Sequence, residues 1–250
     1  MSLVVDGHRR LVDTHCHVDL FPDPKALVER LEREGVYTIA VTNAPSVFMY
    51  TYGLAKNCRF VRAAAGLHPE LVSSHGGEIG RLWSLLEQTR YVGEIGLDYS
   101  ILDKGVRGVQ LDVFEQILDK CASYGDKVLT IHSRRSASDV ISAVGPNYPG
   151  RVILHWFSGT RSELRRAISC GFYFSANLAM ASSKSGAAII SEIPRDRLLT
   201  ESDGPFVKVS GEPATPLGSN HVLEAVAGHW NVNKFDVQQV VFENFVRLVS

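Results

Sequence analysis

The 250-residue chain reads as an α/β protein, and its pattern predicts a (β/α)8 TIM barrel with a metal site at the C-terminal ends of the strands. Three observations carry that prediction. Eight short β-branched or apolar runs alternate with segments of helical period, the rhythm of a parallel sheet with a helix after each strand. The runs are apolar with little alternation, as strands covered on both faces are. No glycine-rich phosphate loop follows the first run, which argues against the runner-up, an open doubly wound sheet of the nucleotide-binding kind.

The elements follow in order. The first strand falls at residues 11–15. Pro24 suits the first turn of a helix over 24–34, and Gly35 suits its exit. A strand at 38–42 precedes a helix at 49–57, and a strand at 61–65 precedes one at 78–90. The fourth strand, 91–95, leads to a helix over 106–124 that leaves through Gly125. A strand at 128–132 is followed by a helix at 137–143, and a strand at 152–155 by a helix at 160–170 ending before Gly171. The seventh strand, 172–176, is followed by a weaker helical period over 184–191, and the eighth lies at 198–201. Residues 204–219, polar and rich in Gly and Pro, read as an elaborated loop. A closing helix runs over 234–248 with Asn233 as its cap. No linker, low-complexity tract or repeat interrupts the series, so residues 1–250 read as a single domain.

Composition narrows the function. Lys and Arg number 26 against 27 Asp and Glu, a formal net charge of -1. Binding nucleic acid by blanket phosphate neutralisation is therefore disfavoured, although local cations and metal ions can still recruit it. Cys16, Cys58, Cys121 and Cys170 are dispersed without a Cys-x-x-Cys pair and read as reduced thiols. Residues 1–10 carry no apolar signal core, and no apolar run is long enough to span a bilayer. The expectation is a soluble cytoplasmic protein with no membrane contact.

The chemistry lies at the strand ends. In His15-Cys16-His17 the two imidazoles share one face while Cys16 faces away, since strand side chains alternate. His68 follows the third strand, Glu94 sits at the tip of the fourth, His132 ends the fifth, His155 ends the sixth and Asp203 follows the eighth. All fall at the end where barrel enzymes build their sites. His8, His75, His221 and His229 are scattered and read as surface or structural residues. Four histidines and two carboxylates exceed the needs of one metal ion and suit two, with Glu94 as the bridge and Asp203 a ligand able to accept a proton from water. His68, before Pro69, is the histidine of the set least expected to touch metal. Each residue alone has an ordinary reading as a cap, an ion-pair member or a core histidine; their joint placement is what points to metal.

The stretches 12–19, 66–69, 92–99, 131–134, 154–159 and 200–205, with the tail Asn244-Phe245-Val246-Arg247-Leu248, together resemble the TatD family of metal-dependent deoxyribonucleases, within the amidohydrolase-like superfamily. The resemblance implies a (β/α)8 barrel that hydrolyses DNA phosphodiester bonds, often from a 3′ end, with two divalent ions drawn from Mg²⁺, Mn²⁺ or Zn²⁺. It implies that His15, His17, Glu94 and Asp203 hold one ion and that Glu94, His132 and His155 hold the other. His68 would be a catalytic, phosphate-side histidine and Arg134 a substrate contact. Arg135, Lys184 and Lys208 are further cations on the site side. Two stretches depart from the family pattern: Ser100-Ile101-Leu102 replaces an aromatic and a basic residue, and Gly211 to Pro216 replaces an Arg-Asn-x-Pro-like stretch. Both lie where substrate would bind.

Two other classes stay open. An amidohydrolase acting on an amide, lactone or nucleobase would share the barrel and the His-x-His opening. Many binuclear members bridge their metals through a carbamylated lysine near strand four, where this chain has Glu94 and no lysine before Lys104. The other class is a non-catalytic subunit binding protein partners in a defence or repair assembly.

Overall fold

The structure, a computed structural model, describes residues 11–250. Eight parallel strands form the barrel: β1 (Val12–Cys16), β2 (Tyr37–Ala40), β3 (Val61–Ala63), β4 (Tyr91–Asp98), β5 (Val128–Arg134), β6 (Arg151–His155), β7 (Tyr173–Ala176) and β8 (Leu198–Thr200). Each expected strand is present within a few residues of its place. Main-chain ladders join β1 to β2 to β3, and β4 through β8 in sequence order. Two seams close the ring. Ala65 pairs with Val92, with Gly93 N–H donating to Ala65 O at 2.9 Å. Between β8 and β1 the links use side chains as well: Thr200 Oγ1 donates to Val12 O at 2.6 Å, and Asp203 N–H donates to His15 O at 2.9 Å.

The helices cover the outside. They are α1 (Pro24–Glu34), α2 (Pro45–Ala55), α3 (Val72–His75), α4 (Ile79–Leu85), α5 (Lys104–Ala122), α6 (Ala137–Val144), α7 (Arg161–Ser169), α8 (Leu178–Ser182), α9 (Lys184–Glu192), α10 (Ser219–Trp230) and α11 (Lys234–Val249). Local chemistry sets their ends. Asp23 caps α1 through the amide of Ala26, and Gly35 leaves it with φ 68°. Thr160 and Glu163 form a reciprocal capping box on α7. Asn233 caps α11 through the amide of Asp236, as the sequence predicts.

Three expectations need correction. The helix expected at 78–90 is the shorter α4, which ends at Leu85, and a further short helix, α3, precedes it across a tight turn at Gly76–Glu78. The helix expected at 49–57 begins at Pro45, where proline sets the first turn. The 204–219 stretch is not all loop: Lys208–Val209 (β9) and Glu212–Pro213 (β10) pair as a small antiparallel hairpin. Ser210 and Gly211 turn that hairpin, both with positive φ. Strands of two residues are too short to show a period. Beyond them, α10 begins at Ser219, and its mixed apolar and polar sequence carries little helical signal.

Two irregularities matter for the site. Between Val92/Leu129 and Ile95/Ile131 the β4–β5 register gains one residue on β4, and between Asp13/Thr38 and Cys16/Ala40 it gains one on β1. Such bulges re-aim side chains, and these two fall at Glu94 and His15.

Candidate metal centre

The six expected ligands converge inside the C-terminal mouth of the barrel. The Nε2 atoms of His15 and His17 stand 3.3 Å apart. They lie 3.4 and 3.3 Å from Glu94 Oε2 and 3.8 and 3.7 Å from Asp203 Oδ1. The other carboxylate oxygen, Glu94 Oε1, lies 2.7 Å from His132 Nδ1, 2.9 Å from His155 Nε2 and 3.4 Å from His68 Nε2. His155 Nε2 and His132 Nδ1 are 3.3 Å apart. Glu94 therefore turns one oxygen to each of two donor groups.

The spacing suits a small divalent cation. With bonds of about 2.0–2.2 Å, tetrahedral ligand atoms lie roughly 3.3–3.6 Å apart. His15, His17 and Glu94 meet that separation, with Asp203 slightly wider. Two outer ring nitrogens also have partners suited to ligating imidazoles. His155 Nδ1 stands 3.6 Å from Glu201 Oε1, beyond hydrogen-bond reach, whereas His15 Nδ1 is 2.7 Å from Thr130 Oγ1 and His132 Nε2 is 2.8 Å from Asp98 Oδ2. Each of those two contacts leaves the inner nitrogen free to offer a lone pair. His17 Nδ1 and His155 Nδ1 are buried without a hydrogen-bond partner among the described residues.

The backbone makes room for this convergence. A Cβ on Gly66 would sit 2.3 Å from Glu94 N and from Thr42 O, so only glycine lets β3 pass behind Glu94. Gly96, at φ 136°, would place a Cβ 2.1 Å from His132 O. Asp203 itself has φ 47°, and Arg135 and Trp156, at the ends of β5 and β6, have φ 56° and 37°. Non-glycine residues in this region carry strain, and such strain gathers at functional sites.

Burial and charge pull against each other here. Burial alone would raise the Glu94 carboxyl, but His68, His155 and His15 beside it hold it well below the usual range. Burial would lower His155, yet Glu94 and Glu201 outweigh it and raise that imidazole well above normal. His132 is likewise raised against burial, by its hydrogen bonds to Asp98 and Glu94. His15 is lowered by burial and by neighbouring His155. Asp203 is pushed up to about 8, chiefly by burial; His155 works against that rise, while Glu201 and Glu94 add to it.

Several residues emerge that the sequence reading missed. Glu201 is fully buried, accepts from Asn177 Nδ2 at 2.9 Å and from Ser175 Oγ, and shares a potential metal-binding group with His15 and His155. Its signal was present in Glu201-Ser202-Asp203, two residues before an expected ligand. Asp98 and Thr130, on neighbouring strands, brace His132 and His15. Asp13 accepts from the amides of His15 and Ser202, both at 3.0 Å, tying β1 to the segment after β8. His68, the histidine of the set least expected to touch metal, lies with Glu94 and His132 in a third group of side chains close enough to hold an ion.

At the rim, Phe206 is exposed and meets the His17 ring edge-on, centroids 5.0 Å apart. Arg134, Arg135, Lys184 and Lys208 are all exposed. In place of the family's aromatic-basic pair after Tyr99, the Arg107 guanidinium lies 4.9 Å from the Tyr99 ring centroid and donates to Tyr99 O and Ile101 O. His75, His221 and His229 lie outside the cluster; His8 lies outside the described residues. Among the described residues no helix is long and apolar enough to cross a membrane.

Comparison with known proteins agrees with this picture. A family described as TatD related DNase matches residues 12–250. A Bacillus subtilis protein named uncharacterized metal-dependent hydrolase YabD is 28% identical over 254 residues, covering 95% of this chain and 98% of its own. The 3′-5′ ssDNA/RNA exonuclease TatD of Edwardsiella piscicida is 29% identical over 204 residues, covering 75% of this chain and 77% of its own. The crystal structure of YjjV, a TatD homolog from Escherichia coli K12, superposes with a TM-score of 0.84 at 26% identity, covering 96% of this chain and 98% of that one. By sequence and by fold together, the chain belongs to the TatD-related DNase family of hydrolases.

Proposed function

We propose that the protein is a metal-dependent deoxyribonuclease that hydrolyses DNA phosphodiester bonds at a centre for two divalent ions (Mg²⁺, Mn²⁺ or Zn²⁺), trimming strands from the 3′ end. One observation carries the reading: Glu94 faces separate donor groups with its two oxygens, 3.3 Å from His17 on one side and 2.7 Å from His132 on the other. His15, His17 and Asp203 with Glu94 Oε2 would hold one ion, and His132 and His155 with Glu94 Oε1 the other. The name of the Edwardsiella relative supports the direction of cleavage.

When bound, two such ions stabilise the attacking and leaving oxygens at phosphorus and lower the pKa of water. The chain's own residues do the rest. Asp203 Oδ2, the oxygen outside the donor set, takes the proton from the attacking water. His68 Nε2 and the exposed Arg134 guanidinium bind the non-bridging phosphate oxygens and orient the strand. Burial of Glu94, His15 and His17 keeps bulk water off the donor atoms. The amidohydrolase alternative is weaker, because Glu94 occupies the bridging place and Lys104 lies beyond the end of β4.

The test is cleavage of 3′- and 5′-end-labelled single-stranded and duplex DNA with Mg²⁺, Mn²⁺ or EDTA, wild type beside Glu94→Gln. Metal-dependent release of the 3′ label, lost in a variant that still melts cooperatively, is the expected result. Cleavage undiminished in Glu94→Gln would sink the assignment.

A further inference from the structure

The tail stretch that shares in the family resemblance lies at the opposite end of the barrel from the donor cluster. There, at the N-terminal ends of β6, β7 and β8, is a cavity of about 520 Å³ bordered by Tyr148, Arg151, Tyr173, Arg197 and Arg247. Arg151 opens the strand that His155 ends, so the cavity lies about 13 Å of strand away from the donor atoms. It shares no residue with them.

Each guanidinium has an ordinary explanation when taken alone. Arg151 is exposed, Arg197 lies 5.1 Å from the Tyr173 ring centroid, and Arg247 sits in the last turn of α11, where a cation is favoured. Their convergence is not explained that way. Three like charges border one concavity, and none has a carboxylate within ion-pair distance among the described residues. Arg247 is also braced. It donates to the side-chain oxygen of fully buried Asn244, whose amide donates to Arg195 O and Leu198 O, both at 2.7 Å. Asn244 thereby holds one guanidinium at the cavity while pinning α11 to the approach of β8. A supported cation beside two others is a preorganised receptor for an anion with several oxygens.

Size and wall chemistry narrow the ligand. Cavities for small organic ligands run roughly 300–1,000 Å³, so this one has room well beyond a bare anion. Tyr148, half-buried at the cavity wall, supplies a flat face on which a sugar or ring can lie. We propose that this cavity binds a phosphate monoester carried on a compact organic body, separately from the metal-donor cluster. The assignment stands apart from the nuclease reading and survives its failure.

The experiment is calorimetric titration of the full chain with inorganic phosphate, ribose 5-phosphate and adenosine 5′-monophosphate. Wild type is compared with Arg151→Gln, Arg197→Gln and the remote Arg81→Gln. At least one ester is expected to bind wild type and Arg81→Gln with Kd below about 1 mM, more tightly than phosphate. Both cavity variants should weaken it by roughly tenfold or more. Arg151 is exposed and Arg197 half-exposed, and melting temperatures near wild type verify that the variants fold. Absence of binding by either ester overturns the proposal. So does ester affinity unchanged in both cavity variants, which places the ester elsewhere. Phosphate binding as tightly as the esters overturns the ester assignment and leaves an anion site only.

Discussion

Asp98 holds the outer nitrogen of His132: Oδ2 and Nε2 are 2.8 Å apart, and the same carboxylate also accepts from the Ser100 amide. Burial would raise the Asp98 carboxyl, but those hydrogen bonds hold it far below the usual range. It is therefore anionic and fixes the proton of His132 on Nε2, turning Nδ1 toward Glu94.

Asp98→Ala removes that constraint without touching a donor atom. Metal affinity should fall roughly 10–100-fold, as it does when outer partners of ligating histidines are lost. Titration with Mn²⁺, followed by calorimetry, measures it. Unchanged affinity would mean that His132 needs no such anchor.

Thr130→Val keeps the shape beside His15 and removes the hydroxyl that faces its Nδ1 at 2.7 Å. A buried N–H left without an acceptor costs about 1–3 kcal/mol. Urea unfolding should register a loss of that order, and metal affinity should drop with it.

Metal uptake should release protons at neutral pH. His155 is raised well above the ordinary imidazole range and Asp203 to about 8. Both thus hold protons near pH 7 that a cation must displace. The sign for stability follows. The raised His155 stabilises the metal-free fold below the ordinary imidazole pKa, and that contribution is lost as pH rises through its folded value. Asp203, an acid raised by burial, costs stability over the rise from about 4 to 8. The metal-free protein should therefore melt at a lower temperature at pH 8 than at pH 6, while the stabilisation by Zn²⁺ grows. Melting curves at the two values, with and without Zn²⁺, decide this. A metal-induced shift independent of pH would contradict it.

Gly96→Ala drives a Cβ to within 2.1 Å of His132 O at a backbone angle alanine resists. The β5 main chain must move to admit it, carrying His132 off position. Such displacement should reduce hydrolysis by about 100-fold or more, since angstrom-scale misplacement is that costly. Ala at Gly108, on the exposed side of α5 with open space around it, is the matching control and should retain activity.

Much of this was readable from the amino acids. Apolar runs without alternation reveal strands covered on both faces, and Asn233 and Gly35 announce helix ends by local bonding that needs no tertiary context. The six donors could be gathered because each stands at one end of its strand. Asp98, Thr130 and Glu201 could not be assigned in the same way. Their roles depend on other strands, a neighbouring one for Asp98 and one across the barrel for Thr130, and such pairings are not written in any one segment. The bulges at His15 and Glu94 were hidden for the same reason, since a one-residue slip exists only relative to a partner. The β9–β10 hairpin was too short to display any repeat.

The donor atoms enter from residues 15 to 203, on five of the eight strands or just past their ends, and the seam between β8 and β1 is sewn by Thr200, Asp13 and Asp203. No fragment ending before that seam holds the full set. During synthesis the full donor set would thus be completed only once Asp203 has been made and β8 has closed on β1. A hydrolase of this family would then have no half-built active form, and its ring closure would serve as its safety catch.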